Sequence, residues 1–111
     1  MNWGRRRLVW LHGRVKSPPF SALARQETGY FLRLVQLGVA LRMPHSRPMP
    51  GIGPRCHELR IVDVGVTWRI LYRIDPEEIL VVDIFSKKSR GTPHLIIEAS
   101  QRRLRRYDDA P

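Results

Sequence analysis

In the second half of the chain apolar and polar residues alternate with a period of two, the signature of half-buried strands. Leu59 and Ile61 share one side with Trp68, Ile70, Tyr72 and Ile74, and Arg60 shares the other with Arg69 and Arg73. Glycine follows valine at Val64-Gly65, a short turn between strands over 58–64 and 67–74. A third run over 79–86, Ile-Leu-Val-Val-Asp-Ile-Phe from Ile79, is apolar on both faces and reads as an interior strand after an Asp75-Pro76 turn. Upstream, residues 6–12 read as a short first strand. From about Ser21 to Leu41 apolar residues recur at three- and four-residue steps, a helical face read as one helix or as two pieces split at Gly29 and Gly38. Residues 43–56 carry four prolines and two glycines, which exclude helix and central strand. Thr92-Pro93 predicts the start of a last helix, threonine as cap and proline in the first turn, running to about Tyr107. Strands in a run beside segregated helices make an α+β domain, here a small antiparallel sheet of about four strands.

The hairpin register has a chemical consequence. A loop of two or four residues sets Val62 opposite Thr67, Ile61 opposite Trp68 and Arg60 opposite Arg69. Facing like charges destabilise a sheet, so such a pair calls for an anion between them. One extra loop residue would undo the pairing.

Length and charge narrow the choice of anion. At 111 residues the chain makes one domain. Twenty basic residues against ten acidic give a formal charge of +10, and only three of the twenty are lysine. Such a balance implies a polyanionic or an acidic protein partner, and arginine holds phosphate through a planar fork of donors. No apolar run is long enough for a membrane span, the N-terminus lacks a secretory apolar centre, and one cysteine makes no internal disulfide. The expected setting is the cytoplasm. His12, His45, His57 and His94 fit no zinc motif, so no metal or other cofactor is expected.

The candidate site is the basic cluster Arg60, Arg69, Arg73, Lys87, Lys88 and Arg90, with Arg47 and Arg55 brought alongside by the proline-rich loop. Convergent cations bind a phosphate backbone and stabilise charge developing on phosphorus oxygens. A solvated sheet face is the plain alternative.

The order Glu58-Leu-Arg60, Trp68-Arg69-Ile-Leu-Tyr-Arg73, Phe85-Ser-Lys-Lys88, Thr92-Pro93 and Arg103-Leu104 with Tyr107 resembles the RelE/ParE toxin superfamily. It most resembles the HigB-like, phage-derived branch of bacterial type II toxin–antitoxin systems. The resemblance implies a ribosome-dependent messenger-RNA endoribonuclease in which the substrate's 2′-hydroxyl attacks the adjacent phosphate without metal. Carried onto this chain, it implies Arg60 and Arg69 as the phosphate clamp, assisted by Lys87 or Lys88. Arg47, Arg55, Arg73 and Arg90 would hold flanking RNA, and His57, His94 and Tyr107 are the acid–base candidates. The partners it implies are the ribosome, messenger RNA and a cognate antitoxin, often of helix-turn-helix type. A ParE-like gyrase inhibitor, or an RNA-binding regulator without turnover, stands as the alternative.

Overall fold

The computed structural model describes residues 5–11, 19–87 and 91–111. The elements are β1 (Arg7–Trp10), α1 (Ala22–Gln36), β2 (Ser46–Pro48), β3 (Cys56–Asp63), β4 (Val66–Ile74), β5 (Glu78–Lys87) and α2 (His94–Asp109). One five-stranded sheet carries them in the order β1-β5-β4-β3-β2. The fold is α+β, with two differences from the sheet expected.

The sheet is mixed, because β1 lies parallel to β5, with Leu8 opposite Ile79 and Trp10 opposite Val81. It also has a fifth strand. Within the proline-rich segment Ser46–Pro48 pairs with β3, and Pro48 is tolerated because β2 is an edge.

The two faces of the sheet bury separate clusters. On one, Phe31, Leu32 and Val35 of α1 pack with Leu59, Ile61, Ile70, Tyr72 and Val81. On the other, Leu104 of α2 packs with Leu71, Leu80, Val82 and Cys56. Helices on both faces explain why β5 is apolar on both sides from Ile79 to Val82. The pairing of β5 with β4 shifts between Leu71 and Tyr72, so Leu71 faces Asp83 while Tyr72 faces Val81. Asp83 then meets Arg103 of α2 at 3.2 Å.

Helix α1 begins at Ser21, whose hydroxyl accepts a hydrogen bond from the Ala24 amide at 3.0 Å. It runs through Gly29 undivided and stops at Leu37, where Gly38 takes a φ of +93° that other residues rarely adopt. At α2 the expected threonine cap is absent. Pro93 occupies the cap position without a side-chain hydrogen bond, and the Thr92 hydroxyl is directed to Glu58.

Asp63, the last residue of β3, ties the hairpin to α1. It accepts hydrogen bonds from the Ser21 amide at 2.9 Å, the Val64 amide at 2.8 Å and the Trp68 indole at 3.2 Å. Hydrogen bonding from Ser21, then from Val64 and Trp68, holds its carboxyl down at about 2 against an ordinary 3.8. A depressed carboxylate stabilises the fold fully above its unfolded value and loses that contribution as pH falls through its folded value. Asp63→Asn is therefore expected to lower the urea midpoint at pH 6, the gap from wild type closing between about pH 4 and pH 2. Urea titrations at several pH values check it, and a pH-independent gap would refute it.

Candidate functional site

Everything at the site depends on the β3–β4 register. The loop is two residues, Val64 and Gly65, with Gly65 at φ +69°. Arg60 is opposite Arg69, Ile61 opposite Trp68 and Val62 opposite Thr67, the pairing expected from the alternation. Both arginines fall on the α2 side of the sheet, since Arg69 is two residues from Leu71 of the α2 cluster.

Glu58 organises the pair. It precedes Arg60 by two residues on the same face, and its side chain is fully buried. One oxygen, Oε1, accepts from Arg69 Nη1 at 3.3 Å and from Arg47 Nε at 3.2 Å. The other, Oε2, accepts from the Thr92 hydroxyl at 3.0 Å. Arg47 arrives from β2, where it is the direct partner of Glu58. Strands β2, β3 and β4 and the approach to α2 thus meet on one carboxylate. Three arginines against one carboxylate leave the site a formal charge of +2.

The two facing arginines differ in state. Arg69 is mostly buried, and its Nε has no hydrogen-bond partner among the described residues. Burial pushes its pKa down, Glu58 pushes it back up, and Arg60 and Arg47 add to the lowering. Arginine nonetheless stays charged at any working pH. Arg60 is exposed, and its guanidinium makes no hydrogen bond or ion pair to another described residue. A concavity of about 150 Å³ is lined by Arg47, Glu58, Arg60 and Arg69 together with Met43, Pro44 and Ser46. Such a site can take the anionic oxygens of a phosphate and stabilise charge gained there.

Other sequence candidates lie elsewhere. Arg73 shares the face but stands four residues along the strand, roughly 13 Å away at the usual rise. Asp75 and Asp108 take its donors through four hydrogen bonds of 2.7–2.9 Å. Arg55 belongs to the same far cluster, donating to the Ile74 carbonyl and to Asp75. Tyr107 donates to Glu78 at 2.6 Å, and that bond raises its pKa. His57 pairs with Tyr72 across the strands and stacks on its ring, on the α1 face opposite the arginines. Burial lowers its pKa. None of these four reaches the pocket. His94 opens α2, two residues after Thr92, and pairs with Glu98 at 2.8 Å. Lys87 places its backbone opposite Thr67 at the end of β5, but its side chain lies outside the described residues. Lys88, Arg90 and His12 lie wholly outside them.

Sequence reasoning passed over Glu58, Thr92, Met43 and Pro44 as site residues. The signal for Glu58 was present, an acidic residue two positions from Arg60 in a chain with only ten acids.

Among the described residues no three of His, Cys, Asp and Glu are grouped to hold a metal ion. None of their helices is long and apolar enough to cross a membrane. No curated protein matches the chain in sequence. A family model described as Phage derived protein Gp49-like (DUF891) matches residues 19–105, from before α1 into α2, and spans the whole pocket.

Proposed function

Because the chain belongs to this phage-derived Gp49-like family, we propose that it is the toxin of a type II toxin–antitoxin pair, acting as a ribosome-dependent messenger-RNA endoribonuclease. The observation that carries this reading is the convergence of Arg47, Arg60 and Arg69 on one pocket with net positive charge. In the reaction the 2′-oxygen bonds to the adjacent phosphorus and the bond from phosphorus to the 5′-oxygen breaks. The 2′-hydroxyl loses its proton and the leaving 5′-oxygen gains one. The products are a 2′,3′-cyclic phosphate and a 5′-hydroxyl. DNA lacks the attacking group, so the chemistry selects RNA.

Arg60 and Arg69 hold the non-bridging oxygens, where charge accumulates as the fifth bond forms. Glu58 keeps Arg69 and Arg47 aimed without itself facing solvent. Lys87 and Lys88, adjacent in sequence, are the further cations assigned to the phosphate in this reading. Of the acid–base candidates, His94 stands two residues after Thr92, whose hydroxyl donates to Glu58. The antitoxin, often a helix-turn-helix protein in such systems, neutralises the same positive surface with acidic groups. Convergent cations favour this nuclease over a gyrase inhibitor, which has no need of them.

Expression of the chain alone in bacteria tests the reading. Growth arrest is expected, with primer extension showing cleavage at discrete codon positions of translated messages, and rescue by the neighbouring gene's product. Intact transcripts in arrested cells would overturn it, and gyrase-linked DNA breaks in those cells would favour the ParE-like alternative.

A further inference from the structure

The residues lining the pocket are of two unlike kinds. Arginines make one. The other is the turn through Met43 and Pro44, where Met43 is 67% exposed. Ser46 adds no polar function to that turn, because its hydroxyl is bonded to the Tyr72 hydroxyl at 2.6 Å. The turn is also held in place. The amides of His45 and Ser46 both donate to the Arg42 carbonyl, and the His45 carbonyl accepts from the Arg60 amide at 2.8 Å. The His45 ring packs on Phe31 of α1, with centroids 4.7 Å apart. An isolated exposed apolar residue needs no explanation. A braced apolar lip beside a cationic floor has the layout of a nucleotide, whose charged phosphate and flat base are held apart by a sugar.

We propose that Met43 and Pro44 form a subsite for a nucleobase of single-stranded RNA, next to the phosphate held by Arg60 and Arg69. This deepens, and rests on, the nuclease reading of the same pocket. The thioether and the proline ring meet the base by its face, and neither side chain carries a donor to read its edge. The subsite therefore orients the strand and tolerates any base, preferring purines for their larger face. Apolar contact beside convergent arginines also suits an acidic peptide with one large side chain. The nucleotide is favoured because the pocket is small and Met43 and Pro44 line it together with the arginines.

Binding to a short RNA carrying 2′-O-methyl groups, which block cleavage, tests the proposal by fluorescence anisotropy. A matched strand with one abasic site is the control. Met43→Ser is expected to weaken binding of the intact strand by about 2- to 10-fold, the range of a sulfur–ring contact, and to leave the abasic strand unchanged. Met43→Phe is expected to tighten the intact strand only. Equal effects on both strands, or none, would overturn the subsite while leaving the phosphate clamp standing. Failure of the wild-type protein to bind either strand would overturn the subsite, while the nuclease reading stands or falls on cleavage of translated messages. An acidic peptide competitor weakened by Met43→Ser, with RNA binding unaffected, would assign the lip to a protein partner and refute the proposal.

Discussion

Arg60→Ala is expected to slow RNA cleavage by roughly 10²–10³-fold, the usual cost of removing one donor aimed at developing charge, and to leave the fold intact. The separation of activity from stability follows from geometry. Arg60 is exposed and bonded to no other described side chain, so truncation strands no partner. It also removes the repulsion across the hairpin from Arg69, which makes a small gain in thermal stability the expected sign. Arg69→Ala should lose comparable activity but is the poorer test, because it also withdraws a donor from buried Glu58. Single-turnover cleavage rates beside thermal unfolding curves check the prediction. Full cleavage by a folded Arg60→Ala protein would remove this residue from the mechanism.

Glu58→Ala is expected to destabilise the protein by about 3 kcal/mol, the low end for breaking a buried ion pair from one side. Three donors lose their acceptor, and Arg47 and Arg69 are left facing each other and Arg60 with nothing between. The low end applies because Arg47 is 39% exposed and can turn to water, whereas Arg69 cannot do so readily. Against a typical stability of about 5–15 kcal/mol the loss is large. Glu58→Gln keeps the shape and one acceptor, so it should cost less stability while still reducing cleavage through misaligned arginines. Urea unfolding of the three proteins checks the order, and a Glu58→Ala protein as stable as wild type would contradict it.

The hairpin was readable because its information is local. A two-residue loop and strict alternation fix which side chain faces which, so Arg60 against Arg69 needed no knowledge of the rest. Alternation also placed His57 with Leu59 and Ile61, on the far face from Arg60, a consequence the sequence already contained. Arg73 shows where parity stops helping. Its face was readable, but its partners Asp75 and Asp108 come from a turn and from the end of α2, and only the folded chain brings them together. The nearness of Glu58 to Arg60 was legible, but its role was hidden for a related reason. An acid among bases looks like a surface charge until burial and three donors from separate elements define it. The parallel pairing of β1 was equally out of reach, since no local pattern names a partner so distant in sequence.

That pairing sets an order of events in folding. Leu8 joins Ile79, so β1 cannot find its place until β5 exists, whether during synthesis or after dilution from denaturant. The β2–β3–β4 meander, which carries Arg47, Glu58, Arg60 and Arg69, needs only neighbouring turns to close. Loop-closure entropy makes the nearer contacts form sooner. Loop closure therefore favours early assembly of the cationic pocket, with β1 docking once β5 is in place.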